Sequence, residues 1–162
     1  MKPLNFKEVN DKKYNIPEIG IGMMGYGFVG KAHSNAYHKM SYMSWPPVAI
    51  PKLTAICGRT EAKVEEAAVR YKYKGYYTDW RDMVKDPNID LFDNGSSDRM
   101  HYEPTVAAAK EGKHVFCEKP LAVSIDEAEE MLETATKAGV KHMCGFNYRF
   151  IPAVRLAKNI ID

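Results

Sequence analysis

Cysteine is scarce in this sequence: Cys57, Cys117 and Cys144 are three, an odd number with no metal-type spacing. That argues against a disulfide scaffold, predicts no metal site, and points to a reduced, cytoplasmic protein whose thiols are small core residues. Charge of one sign is also lacking, since 23 Lys+Arg stand against 21 Asp+Glu for a net +2. So even a balance argues against nucleic acid or a membrane surface as partner. No apolar run approaches the ~20 residues that span a bilayer. Met1 to Lys13 is polar and mixed in sign, without a signal-peptide pattern. Internal repeats and low-complexity segments are missing as well.

What is present is 162 residues, 45% of them hydrophobic and 27% charged. That is one domain's worth of globular chain, able to bury roughly 70% of its unfolded surface. Residues 1–15 read as a polar lead-in. From Ile16, strand-like and helix-like stretches alternate. The expected strands are Ile19–Met24, Leu53–Cys57, Gly75–Thr78, Ile89–Asp93, Lys113–Cys117 and Val140–Phe146. Between them the patterning predicts helices at Phe28–Met40, from Thr60 to about Tyr71, at Trp80–Val84 and at Tyr102–Glu111. Another follows the capping box Ser124-Ile-Asp-Glu127 and is closed by Gly139. Pro46, Pro47 and Pro51 make Ser41–Lys52 a loop. Pro152 opens a last helix to Asp162. Short strands alternating with helices predict a doubly wound, mostly parallel α/β sheet of the Rossmann type, covered on both faces.

Gly25-Tyr-Gly27-Phe-Val-Gly30 directly follows the first strand and opens a helix. In that context the spacing is a dinucleotide fingerprint. Gly25 allows the tight turn, Gly27 lets the backbone approach a pyrophosphate, and Gly30 lets helix and strand pack closely. The helix N-terminus offers N–H groups and partial positive charge to the phosphates. At the end of the second strand an NAD site usually carries Asp or Glu, but this chain has Gly58-Arg59-Thr60. No carboxylate repels a 2′-phosphate there and Arg59 offers it a partner, which leans the reading to NADP. An arginine stacked on adenine leaves NAD open.

Polar residues gather at three later strand ends: Asn94-Gly-Ser-Ser-Asp98 with His101, Glu118-Lys119-Pro120, and Asn147-Tyr-Arg149. A lysine there can bond a substrate hydroxyl and move its proton if its pKa falls towards neutrality. A solvated loop lysine is the plainer reading of Lys119. His101 either lines this site or caps the following helix. His33 and His38 on the first helix read as surface or packing residues, His114 and His142 as strand starts away from the site, and Trp80 as packing.

Five stretches carry a family resemblance: GYGFVGKAHSNAY at 25–37, CGRT at 57–60, YTDWRDMVKDPNIDL at 77–91, HYEPTVAAAKEGKHVFCEKPLA at 101–122 and GFNYRFIPAV at 145–154. Together they resemble the N-terminal half of the glucose–fructose oxidoreductase, inositol dehydrogenase and rhizopine-catabolism family. The resemblance implies an NAD(P)-dependent oxidoreductase of sugars or polyols that transfers hydride between a carbinol carbon and nicotinamide. It implies that Lys119 is catalytic and borders nicotinamide and substrate. Backbone from Gly25 through Phe28 and Val29 to Gly30 would hold the pyrophosphate, and Gly58, Arg59 and Thr60 would surround the adenosine ribose. Ser96, Ser97, Asp98, His101 and Glu118 would line the nicotinamide side, with Asn147 and Arg149 approaching from the sixth strand. Ser96-Ser97-Asp98 departs from the family's usual Thr-Pro-Asn, which removes a stiffening proline and brings a carboxylate towards the cofactor. Asn94-Gly95 replaces a small apolar pair.

The resemblance implies a second, C-terminal domain, which is expected to be absent here. Residues 16–150 are then the dinucleotide-binding domain and 151–162 the helix that leads onward. By itself the chain is expected not to turn over. Three other readings stay open. One is a stand-alone NAD(P)-binding sensor or subunit that completes its site with a second chain or as a homo-oligomer. Another is a degenerate interaction-only Rossmann protein, and a methyltransferase is the most distant.

Overall fold

The computed structural model describes residues 14–162; residues 1–13 of the expected lead-in lie outside them. Six strands form one sheet: β1 (Glu18–Met24), β2 (Ile50–Cys57), β3 (Gly75–Tyr77), β4 (Leu91–Asn94), β5 (His114–Cys117) and β6 (His142–Cys144). Their order is β3-β2-β1-β4-β5-β6 and every pairing is parallel. The helices are α1 (Phe28–Met43), α2 (Glu61–Tyr71), α3 (Trp80–Met83), α4 (Tyr102–Lys110), α5 (Ile125–Lys137) and α6 (Pro152–Ile161). This is the doubly wound α/β sheet that the alternation predicts, wholly parallel rather than mostly so.

The inner strands β1, β2, β4 and β5 are largely buried on both faces, whereas the edge strands β3 and β6 are half-buried or exposed. Consecutive residues therefore enter different cores. Met23 and Ile56 pack with Val64, Ala67 and Ala68 of α2, and Tyr37 of α1 closes that side. Met24 and Cys57 pack with Met83, Phe92, Ala108, Ala109 and Ala135 beneath α3, α4 and α5. Phe92 and Ile56 are completely buried, and each such side chain contributes about 1.5–3 kcal/mol.

Three stretches depart from the sequence-based expectation. The loop at 41–52 is shorter than its prolines predict, because α1 continues to Met43 and β2 starts at Ile50. Ile50 N–H donates to Pro17 O at 2.8 Å, so the next residue, Pro51, turns its missing donor away from β1. On that side β3 pairs only from Ala55 onward, and no ladder bond is lost. β6 is also shorter than expected, and a 3-10 turn at Asn147–Phe150 follows it. The capping box is altered: Ser124 Oγ accepts from Glu127 N–H at 3.2 Å, but Glu127 reaches Val123 N–H rather than Ser124. α6 stands against the 3-10 turn before it, with Leu156, Ile160 and Ile161 exposed.

Candidate functional site

Five strands pass the chain to its loops in the same way. Gly58 N–H donates to Tyr77 O at 3.0 Å, Gly25 N–H to Cys57 O at 3.0 Å and Gly95 N–H to Met24 O at 3.0 Å. Glu118 N–H donates to Asn94 O at 3.0 Å and Gly145 N–H to Cys117 O at 2.8 Å. One row of main-chain bonds thus runs along the carboxyl edge of the whole sheet. Its donors are glycines except at Glu118. In the middle lie β1 and β4, the switch point where doubly wound sheets take their ligands.

Gly25 holds φ at +98°, a left-handed conformation open to glycine. The chain turns there sharply from β1 into α1. Main-chain bonding of α1 begins with Lys31 N–H to Gly27 O at 2.9 Å. Gly27 brings no capping side chain, and the first turn holds no acidic residue. The leading N–H groups and the positive end of the helix dipole are therefore left for an anion. Phe28 is exposed, Gly30 is buried, and Val29 lies against Gly95.

A cleft of about 600 Å³ opens in front of this turn. Among the expected site residues it brings together Gly25, Gly27, Gly58, Arg59, Ser96 and Ser97. Thr60 stands just outside as the N-cap of α2, without a side-chain capping bond. Arg59 is exposed and has no carboxylate paired with it among the described residues. The cleft also takes in Tyr26, Met100 and the segment from Thr78 to Arg81, which sequence reasoning missed. Asp79 accepts from Arg81 N–H at 2.9 Å, and that bond holds its carboxyl below the usual range. The Arg81 guanidinium lies 4.5 Å above the Trp80 ring. Trp80 thus serves the cleft as well as the core. The signal was an aromatic and a charge directly after a strand at the carboxyl edge.

At the end of β4 the fully buried Asn94 braces its own turn. Its amide donates to Met100 O at 3.0 Å, His101 O at 3.3 Å and Thr105 Oγ1 at 3.0 Å, and its oxygen accepts from Ser96 Oγ at 2.6 Å. The stiffness that the absent proline would give comes from this side chain. Asp98 is exposed and outside the cleft lining. His101 is only 1% exposed. Its Nδ1 lies 2.7 Å from Pro120 O and its Nε2 3.3 Å from Ser96 O. His101 therefore ties the β4 turn to the Glu118-Lys119-Pro120 turn from beneath.

Lys119 is exposed, and its ammonium makes no ion pair among the described residues. Its main-chain N–H donates to Glu118 Oε2 at 3.2 Å. Glu118 Oε1 is 3.2 Å from Nε2 of His33, whose Nδ1 is 2.9 Å from the buried carboxylate of Asp93. His33 thus belongs to the site's support and not to a packing face, a correction to the sequence reading. His38 is exposed and bonds Tyr71 O at 2.8 Å, as a surface residue would. Asn147 and Arg149 are exposed beyond β6, where Arg149 lines a separate hollow with Phe146, Phe150 and Arg155. Cys57 and Cys117 are buried and Cys144 half-buried; all three are free, and burial pushes the thiols of Cys57 and Cys117 up to about 12.

The comparisons with known proteins agree with this geometry. Levoglucosan dehydrogenase of Pseudarthrobacter phenanthrenivorans is 40% identical over 131 residues, covering 81% of this chain and 34% of the relative. Myo-inositol 2-dehydrogenase of Thermotoga maritima is 35% identical over 110 residues, covering 68% and 33%. The chain spans about a third of the length of these curated relatives. A structure of levoglucosan dehydrogenase in complex with NADH and levoglucosan superposes with a TM-score of 0.85 at 40% identity, over 89% of this chain and 39% of that one. An NAD binding oxidoreductase from Klebsiella pneumoniae gives 0.85 at 41% identity, over 89% and 38%. No helix among the described residues is long and apolar enough to cross a membrane. The family model for the oxidoreductase family with an NAD-binding Rossmann fold matches residues 19–146, and the chain belongs to that glucose–fructose oxidoreductase, inositol dehydrogenase and rhizopine-catabolism family.

Proposed function

We propose that this chain is the dinucleotide-holding domain of an oxidoreductase that acts on a sugar or polyol hydroxyl. The observation that carries the reading is the uncapped N-terminus of α1 behind Gly27, open to the cleft at the β1–β4 switch point. The residues fit the group: glycine backbone meets the pyrophosphate, and Arg59 with Trp80 borders the adenosine end. The dinucleotide, when bound, supplies the hydride chemistry.

The chain's own groups bind, orient and move a proton. Main chain from Gly25 to Gly30 holds the phosphates, with Phe28 and Val29 contributing backbone only. Gly58, Arg59 and Thr60 surround the ribose. Ser96 and Ser97 border the nicotinamide half, next to Asp98. Lys119 reaches from its exposed turn to the substrate hydroxyl, and its Nζ takes and returns that proton. His101 and Glu118 hold the turn, and Asn147 and Arg149 lie on the substrate side. Arg59, with no carboxylate paired to it among the described residues, supports NADP, whereas the NADH bound to levoglucosan dehydrogenase supports NAD. We take NADP as the better ligand here.

The free cysteines support a cytoplasmic home. The exposed Leu156 and Ile160 of α6 favour a second reading, a nucleotide-binding subunit completed by another chain or copy. The test is an equilibrium titration of the chain with NADPH and NADH, read through the fluorescence of Trp80 in the cleft. Saturable quenching supports the reading; no response to either ligand overturns it.

A further inference from the structure

Asp93 is completely buried on β4. A buried carboxylate is costly unless it is paired and hydrogen-bonded. Its oxygens lie 2.9 and 3.1 Å from Nδ1 of His33, and the Tyr37 hydroxyl donates to it at 2.7 Å. No lysine or arginine pairs with it among the described residues. The other ring nitrogen of His33, Nε2, faces Glu118 Oε1 at 3.2 Å. A neutral imidazole has one N–H and one lone pair. With a carboxylate at each nitrogen, that lone pair would point at an anion. Pairing with both carboxylates at once calls for an imidazolium.

Around the ring the Phe116 side chain of β5 packs edge-on at 5.3 Å and Tyr37 of α1 acts through Asp93, and among the described residues no further charged group pairs with His33. Burial opposes the positive charge, but bonding and attraction from Asp93 and then Glu118 outweigh it and raise the pKa above 6.5. Glu118 is the one side chain in the row of glycine donors, and space is kept for it. A Cβ on Gly145 would come within 2.6 Å of Glu118 Oε1. An uncompensated carboxylate at that edge would repel a phosphate-bearing ligand.

We propose that His33 is a standing cationic clamp: its doubly protonated ring ties Glu118 to Asp93, offsets the carboxylate at the ligand edge and fixes the Glu118-Lys119-Pro120 turn for the nicotinamide half of the dinucleotide. It is a positioning residue and touches no reacting atom. The assignment rests on the dinucleotide reading above. A pyrophosphate at α1 with adenosine over β2 and β3 sends the other half across β4 and β5.

Nitrogen-15 spectra of the full chain read the ring directly. Both His33 nitrogens are expected to be protonated at about pH 7, and Glu118→Gln is expected to lower the titration midpoint. One bare nitrogen at that pH overturns the proposal, whether or not a nucleotide binds. In parallel, Glu118→Gln and His33→Gln are expected to weaken NADH about fivefold or more while leaving ADP-ribose within about twofold. Equal losses for both ligands, or none for either, also overturn it. If His33→Gln does not fold, Glu118→Gln alone decides this arm. A wild-type chain that binds neither ligand refutes the dinucleotide reading instead, and the ring protonation then decides whether the clamp exists.

Discussion

A Cβ on Gly30 would stand 2.1 Å from the carbonyl oxygen of Gly25, because the first turn of α1 packs directly on the turn that leaves β1. Two substitutions in one motif should therefore behave differently. Gly30→Ala forces backbone apart and is expected to cost about 1–3 kcal/mol or more in denaturant unfolding. Gly27 has φ −73°, and a Cβ there meets nothing within 4 Å. Gly27→Ala should melt with the wild type. Equal destabilisation by the two would refute this packing account.

The proposed role of Arg59 is cofactor choice. Removing a charge-assisted bond to a 2′-phosphate costs about 1.5–3 kcal/mol, so Arg59→Ala should weaken NADPH by roughly tenfold or more and leave NADH nearly unchanged. Parallel losses for both ligands would mean that the guanidinium stacks on adenine instead.

The His33 clamp makes stability depend on pH. Folding raises its pKa, so the stabilisation is complete below the unfolded value of about 6.5 and is lost as pH rises through the folded value. Urea unfolding of wild type and His33→Gln at about pH 6 and about pH 9 measures it. The gap between them should narrow at the higher pH; a constant gap contradicts the assignment.

Ser124 serves as a control remote from the cleft. Its hydroxyl accepts from Glu127 N–H at 3.2 Å, and Ser124→Ala should cost about 1 kcal/mol. Nucleotide affinity should not change.

The parts of the site legible in the sequence are those built within a few residues. Gly25, Gly27 and Gly30 declare themselves because a tight turn, a close ligand approach and a helix–strand contact each call for a glycine within six residues. Gly58-Arg59 follows from where β2 ends. His33 stayed hidden because its meaning depends on Asp93, 60 residues away, and on Glu118 at another strand end. Asn94 read as a departure from a family pattern, and only the fold shows its amide bracing the turn. Pro51 marked a loop by local rule, yet β2 accommodates it because β3 does not reach that far. In each case a tertiary neighbour decided the role, and sequence spacing does not display such neighbours.

The central claim is that the open N-terminus of α1 receives a dinucleotide pyrophosphate. Titrating the wild-type chain and Gly27→Ala with NADPH and NADH, with melting curves for both, tests it most directly. The account predicts saturable binding by the wild type and at least about a tenfold loss in Gly27→Ala at unchanged stability. No binding by the wild type, or equal binding by both proteins, would contradict it.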